Sequence, residues 1–162
     1  MKIRPAEIDD AEAIRNIYNP YVVDSTATFD LIPRTLEQQQ DWIKDRSGAR
    51  FILVAEDDEG TVRGFASISQ YRDRPAYSPT VENSIYVDQS FVGRGLGRSL
   101  MEELIETARS HGFHSMIAKI VEGQDASVAL HQSCGFEIIG HEHEVGRKFG
   151  RWLDVLTLQR ML

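Results

Sequence analysis

The chain has 162 residues, 41% hydrophobic and 27% charged, with 12 Gly and 5 Pro; this fits one compact folded unit and argues against a disordered, collagen-like or membrane-embedded chain. Subtracting 25 acidic from 18 basic side chains leaves a net charge of -7, which disfavours nucleic acid or an anionic membrane as the main partner. A single cysteine, Cys134, cannot form an internal disulfide. Charged Glu7 and Asp9 fall where a signal peptide needs apolar residues, and no apolar run approaches the ~18 residues of a membrane span, so a cytoplasmic location is expected.

Ile3 begins a short strand. Asp9 or Asp10 can cap a helix carrying Ile14, Ile17, Tyr18 and Tyr21 at helical spacing, and Asn19-Pro20 is where that helix is expected to end or kink. Thr35 caps a second helix that starts at Leu36 and stops near Ser47-Gly48. Residues 51–55 and 62–69 read as strands joined by the polar turn Asp57 to Gly60, an antiparallel hairpin. A strand follows from Val81 to Val87. Leu96, Leu100, Leu104, Ile105 and Ala108 then repeat at three- and four-residue spacing, which predicts an amphipathic helix ending near His111-Gly112. Residues 116–121 form a strand and 126–133 a short helix. Two final strands, 136–144 and 152–158, flank Gly146 to Gly150. Hairpins mixed with crossovers predict an α/β (α+β) unit with a mixed sheet covered by helices, in one domain over residues 1–162.

Between the strand ending at Val87 and the helix near Gly97 lies FVGRGLG, residues 91–97. Its alternate glycines let backbone amides converge on one anion, and the helix N-terminus behind them adds partial positive charge, which makes a phosphate cradle. The segment is not a P-loop, because no Gly stands five residues before Gly97 and Arg98 replaces the Lys. It is not the dinucleotide fingerprint either, since Arg98 sits where the third Gly belongs. An ordinary tight strand-to-helix turn is the alternative for this motif alone.

The motif has company. ENSIYV at 82–87 and ALHQSCGF at 129–136 complete a pattern that resembles the GNAT superfamily of acyl-coenzyme A transferases, and VGRKFGRWLD at 145–154 narrows the resemblance to one branch. Within it, the chain is similar to the phosphinothricin and methionine sulfoximine N-acetyltransferase branch, from Ile3 to Leu158. The resemblance implies a GNAT fold: a mixed, mostly antiparallel twisted sheet of about seven strands, splayed between the fourth and fifth, flanked by about four helices. It implies acetyl-CoA as cosubstrate, with pantetheine in the splay, paired to the backbone of Ile85 and Val87. Val92, Gly93, Arg94, Gly95, Leu96, Gly97, Arg98 and Ser99 would wrap the pyrophosphate, and Gln124 and Ser127 complete the donor site. Val92 stands where the family usually has Arg or Gln, and Gln124 where it usually has Asn.

An amine of pKa near ~10 is mostly ammonium at neutral pH and must lose a proton before attacking a thioester, so a base is needed. The resemblance assigns that role to Glu82, with a surface carboxylate as the alternative. Backbone amides around Tyr86 are the expected stabiliser of charge on the acetyl oxygen during direct transfer. His131 is a candidate proton donor to the coenzyme A thiolate or a binding residue; a packed helix-face His is the alternative. Cys134 invites an acetyl-cysteine reading, yet no activating pair is near it in sequence, and a buried structural Cys is favoured. Arg74 and Tyr77 suit a small acceptor with a carboxylate, Phe29 would form an apolar wall, and Lys148 with Phe149 would line the site. Solvated Arg72 and Arg74 and a core Phe29 are the alternatives.

His141 and His143 share one strand face at a spacing that can bind metal, but no third ligand is evident in the sequence, and no metal is expected. The resemblance implies a small-molecule amine and, since members of the branch are commonly homodimers, a second copy of the chain as partners, with no nucleic acid or membrane expected. The resemblance implies transfer of acetyl from acetyl-CoA to the α-amine of a small amino-acid-like compound such as phosphinothricin, methionine sulfoximine or methionine sulfone, a detoxifying role, and two rival functions stand beside it. One keeps the fold and changes the acceptor to a protein N-terminus, a polyamine or an aminoglycoside. The other is an acetyl-CoA sensor without turnover, for which Glu82 would have no use.

Overall fold

The computed structural model describes residues 1–46 and 48–162. The order is β1 (Lys2–Pro5), α1 (Ala11–Asp24), α2 (Leu36–Lys44), β2 (Ile52–Glu56), β3 (Val62–Gln70), β4 (Thr80–Val87), α3 (Leu96–Ser110), β5 (Ser115–Val121), α4 (Asp125–Ser133), β6 (Glu137–Lys148) and β7 (Arg151–Met161). These strands make one sheet, β1-β2-β3-β4-β5-β7-β6, antiparallel at every pairing except the parallel β4–β5. The expected seven-stranded mixed sheet with four helices is therefore present.

Each face of the sheet has its own core. Leu96, Leu100, Met101, Leu104, Ile105 and Ala108 of α3 pack on Ala66, Ile68, Met116, Ala118 and Leu158, the stripe that the helical spacing predicts. On the other face, Ile14, Ile17, Tyr18 and Val22 of α1 and Ile43 of α2 meet Val54 and Phe65. Thr35 caps α2 through a reciprocal pair, its Oγ1 accepting from Gln38 N at 3.2 Å and its N donating to Gln38 Oε1 at 2.9 Å.

Four sequence expectations are corrected. α1 does not end at Asn19-Pro20; it continues through Pro20 to Asp24. Burial of Val22 on the sheet and the bond from Tyr21 Oη to Val87 O hold the last turn despite the missing proline N–H. Asp10 stands at the N-cap of α1, but its carboxylate accepts from Arg4 at 2.7 and 2.8 Å and from Glu7 N at 2.7 Å instead of capping that helix. α2 stops at Lys44 with Asp45 as its cap; Ser47, where the stop was expected, lies outside the described residues. The last loop is far shorter than Gly146 to Gly150. Lys148 pairs with Arg151, and the turn is Phe149-Gly150, both at positive φ (52° and 70°), the backbone a two-residue hairpin demands.

The feature that positions a site is the parting of β4 from β5. Their pairing covers only Thr80–Glu82 against Ser115–Ile117, while β5 stays paired with β7 along its whole length. Beyond Glu82 the strands diverge and leave a gap open toward Val87.

Candidate active site

A cleft of about 620 Å³ fills that gap, floored by Asn83 to Val87 of β4 and Ala118 to Val121 of β5 and closed by the turn before α3 and by α4. Asp88 N donates to Arg63 O at 2.8 Å. Bonded residues alternate along an antiparallel pair, so Ile85 and Val87 aim their N–H and C=O away from β3 into the gap, whereas Tyr86 spends its own on β3. The amides available to a ligand are thus those flanking Tyr86. Tyr86's side chain lies on the α1 face, stacked against Phe65 (5.4 Å) and edged by Tyr18 (4.9 Å). The Val87 carbonyl accepts from Tyr21 Oη at 2.6 Å and keeps one lone pair, while its N–H is aimed into the gap.

The glycine-rich turn has the backbone a cradle needs. Gly93 and Gly95 lie at φ 80° and 82°, the left-handed region that a side chain would strain. Gly95 is the N-cap of α3 and offers no side chain to the helix end, so the N–H groups of Leu96, Gly97 and Arg98 are open to an anion. Gly97 serves packing: a Cβ there would stand 3.3 Å from Leu130 Cδ2, and its absence lets α4 approach α3. Arg98 lines the cleft while pairing with Glu102 at 2.8 Å. Of the positions expected around the donor, all line the cleft except Arg94, whose guanidinium sits 4.6 Å over the Phe91 ring, and Ser99, whose N and Oγ turn back to Gly95 O. Gln124 also donates to Thr26 Oγ1 at 3.2 Å, tying the approach to α4 to the 25–30 loop.

Glu82 is the last β4 residue paired with β5 and stands at the apex of the gap. Burial pushes its carboxyl above the usual range; Lys119 opposes that shift and Glu142 adds to it, and no hydrogen bond contributes. Lys119 donates to both Glu142 oxygens at 3.1 Å and to Thr157 Oγ1 at 2.8 Å, so Glu82 faces an ion pair whose positive end is shared.

His131 is buried, 4% exposed, with Nδ1 2.7 Å from Ser127 O and Nε2 3.0 Å from the Asn83 side-chain amide. Burial lowers its pKa below the ordinary 6.5, so the ring is neutral and has one N–H to give. Only Nδ1–H satisfies Ser127 O. Nε2 must then accept, and the Asn83 amide turned to present Nδ2 supplies the donor; that Nδ2 otherwise has no partner among the described residues. Cys134 is buried, as expected of a structural cysteine.

The acceptor-side residues are less gathered. Arg74 and Tyr77 do not reach this cleft; with Gln70, Tyr71, Arg72 and Asp73 they line a second hollow of about 670 Å³ at the start of β4. Phe29 packs its ring on Gly146 of β6, where a Cβ would come within 2.3 Å. Lys148 lines neither cleft: 4% exposed, it donates to Thr28 O at 2.8 Å and pins the 25–30 loop to the last hairpin. Asn83, Tyr21 and the Lys119–Glu142 pair were missed in the sequence. Asn83 lay inside a quoted motif, but only the approach of α4 gives it a partner.

Comparison with known proteins places this geometry. The profile of the Acetyltransferase (GNAT) domain matches residues 3–157. The chain is 43% identical over 158 residues to an L-methionine sulfoximine/L-methionine sulfone acetyltransferase of Pseudomonas aeruginosa, covering 97% of this chain and 92% of that one. It superposes with TM-score 0.97 on a ribosomal-protein-alanine N-acetyltransferase of Brucella melitensis, at 40% identity over the whole of both chains. A phosphinothricin acetyltransferase of Sinorhizobium meliloti in complex with AcCoA gives TM-score 0.95 at 36% identity, covering 99% of this chain and 88% of that one.

Proposed function

The chain belongs to the GNAT acetyltransferase family and is an N-acetyltransferase with acetyl-CoA as donor, and we propose that its acceptor is the α-amine of a small amino-acid-like compound of the phosphinothricin, methionine sulfoximine or methionine sulfone type. The observation that carries this reading is Glu82, a half-buried carboxylate at the apex of the gap without a hydrogen-bond partner among the described residues. On this reading Glu82 takes a proton from the acceptor ammonium, directly or through water. Burial raises its pKa above the usual carboxyl range, which strengthens it as a base, and the Lys119 charge opposes that rise.

Bound acetyl-CoA supplies the thioester carbonyl that the amine attacks. The N–H groups of Ile85 and Val87, aimed into the gap, offer donors to the charge developing on that oxygen. The open amides of Leu96 to Arg98 and the Arg98 guanidinium take the pyrophosphate. His131 forms part of the cleft wall; its one N–H is committed to Ser127 O, so it binds rather than donates. Arg74 and Tyr77 take the acceptor carboxylate at the hollow beside the start of β4, and Lys148 acts on the 25–30 loop, which carries Phe29, through Thr28. A homodimer belongs to the same reading, supported by exposed Ile138, Ile139, Val145 and Trp152 on the last hairpin; a monomer mass by light scattering would remove it.

The similarity to a protein named ribosomal-protein-alanine N-acetyltransferase favours a second reading, transfer to a peptide N-terminus by the same residues. Coenzyme A release decides between them, measured with phosphinothricin, methionine sulfoximine, methionine sulfone and an alanine-terminated basic peptide. Saturable turnover on the amino-acid analogues alone supports the proposal. Turnover on the peptide alone replaces the acceptor and keeps the mechanism.

A further inference from the structure

The sequence shows two imidazoles on one strand face; the hairpin adds a third ligating group to them. Asp154 of β7 lies opposite a bulge in β6, where the register steps from Glu142↔Val155 to Gly146↔Leu153 and Glu144 takes φ 51°. Asp154 Oδ1 accepts from Glu144 N at 2.8 Å, which holds the carboxylate, and its backbone carbonyl accepts from Glu122 N at 3.0 Å, which holds the main chain. Oδ2 is left for His141 Nε2 at 2.8 Å and His143 Nδ1 at 3.1 Å. The rings lie 4.3 Å apart, and one ligand atom from each of the three side chains falls within 4.8 Å of the others.

We propose that His141, His143 and Asp154 form a binding site for one divalent transition-metal cation of the zinc type, bracing the β6–β7 hairpin. Tetrahedral zinc with bonds of about 2.0–2.1 Å sets its ligand atoms roughly 3.3 Å apart, so the two His–Asp separations of 2.8 and 3.1 Å must open slightly, and the third pair lies within the 4.8 Å that bounds all three. Two nitrogens and one oxygen select zinc, nickel or copper over magnesium or calcium, which prefer oxygen alone. Both rings now spend an N–H on the same oxygen, although both are exposed enough to reach water. Binding moves each proton to the ring's other nitrogen, where water accepts from it, and frees the lone pair for the metal with no net loss from a neutral ring. The remaining coordination positions face solvent and take water. By strand alternation Glu142, which holds Lys119, points to the opposite face, so the site is separate from the acetyl-transfer apparatus.

The test uses tag-free, chelator-stripped full-length protein, titrated with zinc chloride against a chromophoric chelator, with melting followed in zinc and in magnesium. The expected result is one equivalent per chain and a rise in melting temperature with zinc that magnesium does not reproduce. His143→Gln, at an exposed ring, should fold as the parent does and lose at least about tenfold in affinity. Absence of saturable zinc uptake would overturn the proposal, as would uptake unchanged in the His141→Gln/His143→Gln double variant. Imidazole NMR signals give a check independent of affinity: zinc must shift two ring systems, and both must be missing from the double variant's spectrum.

Discussion

Nε2 of His131 and the side-chain amide of Asn83 meet 3.0 Å apart, joining α4 to β4 across the mouth of the open gap. With Nδ1–H given to Ser127 O, this contact fixes the tautomer and holds the ring neutral inside the cleft wall. The unfolded chain binds a proton at this histidine near the ordinary 6.5, and the folded one binds it only at lower pH. Stability contributed here is therefore complete above about 6.5 and is lost as pH falls toward the folded value. Melting temperature should drop from pH 7.5 to 5.5 more steeply in the parent than in His131→Gln. Parallel curves would show that the ring protonates without cost.

Glu82→Gln should cut turnover by roughly 10² or more while leaving acetyl-CoA binding nearly intact, because the amide keeps the shape and loses the base. Steady-state release of coenzyme A and calorimetric titration of acetyl-CoA together separate the two effects. Equal activity in mutant and parent would remove Glu82 from the mechanism.

The ion pair beside Glu82 makes the pH profile informative. Lys119 lowers the Glu82 pKa and Glu142 raises it. Lys119→Met should move the acid limb of kcat/KM to higher pH, and Glu142→Gln should move it to lower pH. A profile indifferent to both would mean that another group sets that limb.

Arg74→Ala should raise KM for an amino-acid acceptor by about 10- to 100-fold, the worth of a charge-assisted hydrogen bond, and leave KM for acetyl-CoA unchanged. Arg74→Lys should restore only part of it, since an ammonium lacks the planar fork. An unchanged acceptor KM would place the carboxylate elsewhere.

Lys148→Met removes the buried ammonium that holds Thr28 O. The uncompensated carbonyl should cost about 1–3 kcal/mol, read as a lower melting temperature. Release of the 25–30 loop should also raise acceptor KM several-fold, with kcat less affected. A stable variant with unaltered kinetics would separate Lys148 from the acceptor loop.

Much of the fold was legible along the chain. The stripe from Leu96 to Ala108 in α3, the Thr35 capping box and the Asp57 to Gly60 turn are each written within a few residues, where helical period, capping hydrogen bonds and turn geometry act. Pro20 misled because its local cost is real, but burial of Val22 on a distant sheet outweighs it. The sequence shows no third ligand beside His141 and His143, because a bulge in β6, which local pattern does not announce, is what sets Asp154 of β7 against them.

The sequence by itself determined the order of the elements, though not all of their ends, the glycine-rich turn before α3 and the resemblance to acyl-CoA transferases that singles out Glu82, for each depends on neighbours in the chain or on a contiguous motif. Tertiary structure alone decided that β4 parts from β5 after Glu82, that Lys119 and Glu142 face that carboxylate, that Asn83 meets His131 and that Lys148 is a buried clamp. Those pairings join residues from 23 to 120 positions apart. Sheet register and helix docking set them, and the free energy of such contacts exists only once both partners have been brought together.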